Sequence, residues 1–300
     1  MTPESGAEFH TIAAAIAEHT GTPFSAGSAN PVSGGSIHRA WKISDGPRHY
    51  FVKTGELAAA PMFAAEADGL QALSATGAVR TPTVIMLGNT KDQAFLVLEF
   101  LDLAPLDPQA GARLGTALAR LHRTTGDFFG WSEDNFIGAT PQINAPHRSW
   151  PHFFGERRLR PQFQLALRNG MDKALAAKGD AIIERVGGLF IDYHPVASLL
   201  HGDLWSGNAA QCSDGTPVIF DPACYHGDRE TDIAMAELFG GFPTSFHAAY
   251  RAAWPLDSGY EMRKPLYNLY HILNHFNLFG SAYLGQAQRM IEQLLKLLRR

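Results

Sequence analysis

The stretch His201-Gly202-Asp203-Leu204-Trp205-Ser206-Gly207-Asn208, followed by Phe220-Asp221-Pro222, decides the fold of this chain. It sets out an aspartate, an asparagine shortly after it, and a second aspartate beyond a short hairpin. Moving a phosphoryl group requires side chains of these types. Asp203 can accept the proton of an attacking hydroxyl, and Asn208 and Asp221 offer hard oxygen atoms that can hold Mg²⁺ against the phosphates of ATP. The hairpin between them is legible. Asn208 to Cys212 and Pro217 to Phe220 are short strand-like runs, and Ser213-Asp214-Gly215-Thr216 supplies turn chemistry.

Protein kinases resemble this order, with an Asp and an Asn in one loop and a metal-binding Asp on the next strand. Here the loop reads HGD rather than HRD and the strand reads FDP rather than DFG. Those departures point to a small-molecule kinase on the same scaffold. Working towards the N-terminus, Lys53 ends the apolar run Tyr50-Phe51-Val52, as a phosphate-binding lysine on a third strand does. Glu66 follows on the next helix and can pair with it. Leu96 to Leu101 reads as the last strand of a small lobe and its hinge, where backbone groups near Glu99 and Leu101 can read an adenine edge. No G-x-x-x-x-G-K-[ST] run is present. The candidate phosphate loop is Gly34-Gly35-Ser36, whose glycines let backbone N–H groups approach phosphate closely. An ordinary hairpin turn accounts for the same residues.

The pattern changes along the chain. A helix is expected over 8–19, strand and loop from Asn30 through Trp41 and Ile43 to Lys53, a helix from Ala58 to Thr76, and strands at Thr83 to Leu87 and Ala94 to Phe100, a strand-strand-helix-strand-strand order that resembles the small lobe of a kinase. From about residue 105 helices dominate. Asp107 is a plausible N-cap with Pro108 at the first helical position. Leu114, Leu118 and Leu121 share a face, as do Leu266, Tyr270, Leu273 and Phe276. The expected fold is α+β, two-lobed and protein-kinase-like. Residues 1–101 would form a small antiparallel-sheet nucleotide-binding lobe, and 102–300 a larger helical catalytic and substrate lobe.

Composition narrows the function classes. Of 300 residues 45% are hydrophobic, enough for a sizeable core, and the net charge of −4 implies no basic face for nucleic acid. Cys212 and Cys224 are the two cysteines, with no spacing that suggests a disulfide framework or zinc site, so a cytoplasmic location is expected. The N-terminal residues show no basic and apolar signal-peptide pattern, and no apolar run is long enough to span a membrane. No G-x-S-x-G run supports a serine hydrolase.

Taken together, these pieces resemble the fructosamine/ketosamine-3-kinase family, which shares the fold of aminoglycoside and choline kinases. Trp205-Ser206 is the most specific mark, since many aminoglycoside-type kinases have His-Pro in the middle of this loop. Similar runs are Phe129-Gly130-Trp131, Asp134-Asn135-Phe136-Ile137-Gly138, Pro141-Gln142-Ile143-Asn144, Trp150 with Phe153-Phe154, Arg158-Leu159-Arg160-Pro161-Gln162 and Tyr225 to Glu230. The resemblance implies Asp203 as catalytic base, Asn208 and Asp221 as Mg²⁺ ligands, and Lys53 with Glu66 as the phosphate anchor. It implies Trp205 in the sugar pocket, where an aromatic face packs on a polyol, and Asp232 as a brace of the catalytic loop. The implied reaction is ATP-dependent phosphorylation of the sugar 3-hydroxyl of a small-molecule or protein-bound ketoamine. The 3-phosphate then promotes loss of the sugar and repairs the amine. Some relatives carry a cysteine in the Gly-rich loop; Ser36 stands thereabouts in this chain, which puts redox control there in doubt.

Two rivals stay in view: a kinase for another small hydroxylated amine, such as an aminoglycoside or choline-like compound, and a catalytically silent pseudokinase. Trp205 argues against the first, and the joint presence of Lys53, Asp203, Asn208 and Asp221 against the second. A monomer is favoured. His226 either faces the substrate or stabilises its loop. His271 and His275 stand at metal-ligand spacing on a helix, but lack the glutamate of an H-E-x-x-H motif and read better as packed helical histidines. Arg157, Arg158 and Arg160 either meet an anionic substrate group or form a solvated helix face. Cys224 reads as a small packed residue.

Overall fold

The computed structural model describes residues 3–32 and 38–299. Its first part is a five-stranded antiparallel sheet of β1 (Ser28–Val32), β2 (Arg39–Ser44), β3 (His49–Glu56), β4 (Val84–Asn89) and β5 (Gln93–Glu99), in the order β1-β2-β3-β5-β4. The run Ala94 to Leu98 is buried throughout because β5 lies between β3 and β4 and both sheet faces are covered. Side chains alternate across a strand. Phe95 and Val97 therefore join Ile43 and Val52 under Phe9, Ile12 and Ile16 of α1 (Pro3–Thr20). Ala94, Leu96 and Leu98 pack on the other side against Phe63, Ala67 and Leu70 of α2 (Ala60–Ala75). The strand order differs from the expectation in one respect: three strands, not two, precede α2.

Beyond the sheet the chain is mostly helical. Asp107 caps α3 (Pro108–Leu121), its Oδ1 accepting the Ala110 N–H at 2.7 Å. Gly111 and Gly115 let α3 lie directly on α8 (Thr244–Ala253); at Gly115 a methyl group would overlap the Phe246 carbonyl. Helix α4 (Trp150–Phe153) runs through a π-helical turn, Phe154–Leu159, into α5 (Arg160–Arg168), and α6 (Lys173–Arg185) follows. Helices α7 (Glu230–Leu238), α9 (Tyr260–Phe279) and α10 (Leu284–Leu297) complete the larger core. No helix among the described residues is long and apolar enough to cross a membrane.

Short strands at the junction carry the functional loops. A hairpin of β7 (Asn135–Ile137) and β8 (Thr140–Gln142) lies between α3 and α4. Strand β9 (Ser198–Leu200) pairs with β12 (Tyr225–Gly227), and the expected hairpin forms as β10 (Ala209–Cys212) and β11 (Pro217–Ile219). Its partner β6 (Leu103–Ala104) was not legible from the sequence.

Candidate active site

Strand alternation puts Lys53 on the α2 face of the sheet, because its neighbour Val52 points into the α1 side. Glu66 lies one turn from Phe63 and Leu70, which anchor α2 to that face. The ammonium of Lys53 meets Glu66 Oε1 at 2.8 Å and Oε2 at 2.9 Å. It also meets Asp221 Oδ1 at 2.5 Å, from a residue 168 positions away. Asp221 is the one non-glycine among the described residues with positive φ, 55°. That left-handed conformation is disfavoured for a side-chain-bearing residue and turns the Asp221 carboxylate towards β3.

The loop after β9 is held from below. Backbone N–H groups of His201 and Gly202 donate to the two Asp232 oxygens at 2.8 and 2.9 Å, and His122 Nε2 lies 3.1 Å from the same carboxylate. Burial alone would raise the Asp232 carboxyl, but the His122 contact and the other donors outweigh it and hold it below its ordinary range. Gly202 has φ +83°, and a β-carbon there would overlap the Ala223 carbonyl, so the close crossing of the two loops demands glycine. Asn208 Nδ2 donates to the Asp203 carbonyl at 2.9 Å and is 3.4 Å from both Asp203 Oδ2 and the Asp221 carbonyl. One amide thus ties the two aspartates' backbones together.

The electrostatics follow from two carboxylates on one ammonium, with Asp203 feeling the charges of Asp221 and Asp232. Burial raises the Asp203 carboxyl to about 7, with the Asp221 and Asp232 charges adding to it. Burial also lifts Glu66; Lys53 opposes and Asp221 adds. Asp221, nearest the ammonium, is pushed up by burial, but Lys53, with Glu66 and His201 adding, holds it below its ordinary range. Although walled on most sides, its side chain is 41% exposed to the cleft, so its pairing with Lys53 is partly screened by solvent. Lys53 is held charged: burial disfavours the ammonium, and its two carboxylates overcome that. A cluster short of positive charge, built of hard oxygen donors, suits a cation. No three carboxylate, imidazole or thiolate groups among the described residues form a ready cage. A magnesium ion here would complete its shell from phosphate and water.

The remaining expected residues fall as follows. The Glu99 carboxylate is turned away, accepting from Arg80 Nη2 at 2.6 Å and Thr83 Oγ1 at 3.0 Å. Leu101 follows β5 at the junction with the helical part. Trp205 stands two residues past Asp203 and is 38% exposed. His226 lies on β12, its half-buried ring 5.2 Å from that of Trp131. Gly34, Gly35 and Ser36 lie outside the described residues. Arg158 is a correction: it sits neither on a solvated face nor within reach of a ligand. It is fully buried between the rings of Phe153 and Tyr225, with its guanidinium carbon 4.7 and 4.0 Å from their centroids.

That burial exposes residues the sequence did not single out by role. Arg158 Nη2 donates to Asn144 Oδ1 at 2.7 Å, and Asn144 Nδ2 donates to Asn135 Oδ1 at 2.8 Å. Asn135 Nδ2 then reaches the Cys224 carbonyl at 2.7 Å, while Gln142 Nε2 bridges Asn135 Oδ1 and the Ala223 carbonyl. This buried amide ladder holds the segment just after Asp221-Pro222. A second link joins the two parts of the molecule: Trp131 Nε1 donates to Asp68 Oδ2 of α2 at 2.6 Å. Next to it Gly69 approaches so closely that a β-carbon would stand 3.0 Å from Pro222 Cγ and 3.2 Å from Cys224 Sγ. The runs 129–131, 134–138 and 141–144 were the available signal, but nothing in them names their partners.

The sequence profile described as Fructosamine kinase matches residues 8–297. A protein named "Probable ketoamine kinase" from Synechocystis sp. is 46% identical over 99% of this chain and 100% of its own length. The chloroplastic protein-ribulosamine 3-kinase of Arabidopsis thaliana is 40% identical over 89% of this chain and 82% of its own. A crystal structure assigned as a fructosamine-3-kinase of Haemophilus somnus superposes with TM-score 0.88 at 32% identity, covering 97% of this chain and 99% of the other. An aminoglycoside phosphotransferase in complex with ADP and hygromycin B, 14% identical, shares the two-lobed protein-kinase-like fold with TM-score 0.65 over 96% of this chain and 98% of its own. Spanning nearly its full length, these matches make this chain a member of the fructosamine kinase family.

Proposed function

We propose that the protein transfers the γ-phosphoryl group of ATP to the sugar 3-hydroxyl of a ketoamine, in a cytoplasmic deglycation step. The observation that carries this is the meeting of Lys53, Glu66 and Asp221 with the loop that bears Asp203, Asn208 and Trp205. Residues 1–101 serve as the nucleotide-binding lobe, with Gly34, Gly35, Ser36 and the backbone at Glu99 and Leu101 around ATP. Residues 102–300 serve as the catalytic and substrate lobe of a monomer.

Asp203 orients the acceptor hydroxyl and takes its proton as the new P–O bond forms and the bond to ADP breaks. Lys53, fixed by Glu66, lies where it can neutralise charge on the phosphates. Asn208 and Asp221 are the residues that would hold Mg²⁺, which when bound supplies further charge neutralisation at the phosphate oxygens. Trp205 offers an indole face to the sugar chain, and His226 lines the substrate side beside Trp131. Positioning and fixed charges do most of the work in such a transfer.

The test is Mg·ATP consumption with ribulosyl-lysine, fructosyl-lysine, choline and an aminoglycoside, with Asp203→Asn as control. Loss of a general base costs about 10²–10⁴-fold in rate. Turnover of a ketoamine alone, lost to that extent in the variant with ATP affinity kept, is the expected result. Turnover confined to choline or the aminoglycoside would overturn the acceptor assignment.

A further inference from the structure

Trp205 has little to hold its ring in place. Among the described residues its indole N–H has no hydrogen-bond partner and no other ring stacks on it. What it does have is Gly207. A methyl group at Gly207 would overlap Cη2, Cζ2 and Cζ3, the far edge of the Trp205 indole, which is folded back over the glycine α-carbon. Gly207 lies within the 3₁₀ turn Ser206–Asn208, outside the left-handed region. Its backbone therefore accepts alanine, and the space above it, not the chain conformation, is what calls for glycine. The preceding residue is seated in a similar way. Ser206 Cβ and Oγ fill the space over Gly241, in the turn after α7, where φ is +91°.

We propose, resting on the assignment of Trp205 to the acceptor pocket, that Gly207 is a specificity-determining residue: it is the seat that sets the angle of the Trp205 indole towards the ketoamine. Seated, the ring keeps one face free beside Asp203 for the apolar side of the sugar chain. A β-carbon at position 207 lifts the ring into the space the sugar needs, without touching the nucleotide groups. Asn208 stays in place, since its side-chain amide donates to Asp203 and Asp221 and its backbone N–H to the Trp205 carbonyl, none of which involves the indole. Gly207 is thus a positioning residue that acts through Trp205, and its effect should vanish when the far edge of the indole is absent.

The experiment compares Gly207→Ala, Trp205→Phe, the double variant and Trp205→Ala, reading KM for ribulosyl-lysine and for ATP separately. Gly207→Ala should raise KM for ribulosyl-lysine roughly tenfold, as one misplaced carbon in a pocket does, and leave KM for ATP unchanged. In the Trp205→Phe background, where the clashing atoms are gone, the same substitution should have no further effect. Should Gly207→Ala damage folding, the double variant must restore it. Gly207→Ala acting equally in both backgrounds, or silent while Trp205→Ala is harmful, overturns the seat and leaves the pocket assignment standing. A Trp205→Ala variant with unchanged KM for the ketoamine overturns both.

Discussion

His271 should make this protein lose stability in mild acid, by an amount that can be worked out. It lies on α9 at 1% exposure, and neither ring nitrogen has a hydrogen-bond partner among the described residues. Burial lowers its pKa to about 3; the neighbouring His275 and Arg158 also act to lower it, and Asp232 only partly opposes. In the folded chain it therefore stays neutral down to about pH 3, whereas in the unfolded chain it takes up a proton near 6.5. The unfolded state binds more protons below 6.5, so stability falls as pH falls from there towards 3. Each pH unit is worth about 1.4 kcal/mol once the unfolded form is protonated, so the His271 contribution at pH 5 is a loss of about 2 kcal/mol relative to pH 7.5. Urea unfolding of the wild type and of His271→Leu at both pH values measures it, because titrations elsewhere cancel in the difference. The variant should lose about 2 kcal/mol less than the wild type on acidification. It should not be weakened much at pH 7.5, since two unpaired polar nitrogens leave the core. An identical acid loss in both proteins would refute the reasoning and mean that the native site accommodates a protonated imidazole.

Two further outcomes test the site's supports. Glu66→Gln removes the carboxylate that steadies Lys53 while leaving Asp221; KM for ATP should rise by roughly tenfold, the worth of one charge-assisted contact, and unchanged nucleotide kinetics would show that Asp221 alone positions the ammonium. Asn135→Leu breaks the buried amide ladder and strands the Cys224 carbonyl and the Asn144 amide; a loss of about 2–5 kcal/mol in urea unfolding is expected, and a variant as stable as the wild type would show that the ladder holds nothing.

Much of the architecture was legible because the relevant signals are local. The apolar run at 94–98, the Asp107-Pro108 start of α3 and the turn at 213–216 each report on neighbouring backbone, and elements formed at all three. Lys53 and Glu66 were found in the same way, one by its place at the end of an apolar strand-like run and one by its place on the helix that follows, and they meet at 2.8 Å. The strand count before α2 was harder to read, because β1 is the short run Ser28–Val32, half-buried to exposed and interrupted by Pro31, with little apolar alternation to mark it. Arg158 reads as a surface cation in any window, since its burial depends on Phe153, Tyr225 and Asn144 arriving from three other segments.

The sequence by itself determined which atoms are available for chemistry: an acid, an amide and a second acid at fixed spacing, a lysine on a strand, and an indole two residues from the proposed base. Covalent spacing sets those relations before any folding. Only the tertiary structure decided who meets whom. It brought Asp221 to Lys53 across 168 residues, Trp131 to Asp68, and the amides of 135, 142 and 144 to the carbonyls after Pro222. It also laid the Trp205 ring on Gly207, a contact between near neighbours that still depends on how the loop turns. Periodicity reveals which face of an element is buried. It does not reveal what covers that face, because the covering atoms are chosen by the packing of the whole chain.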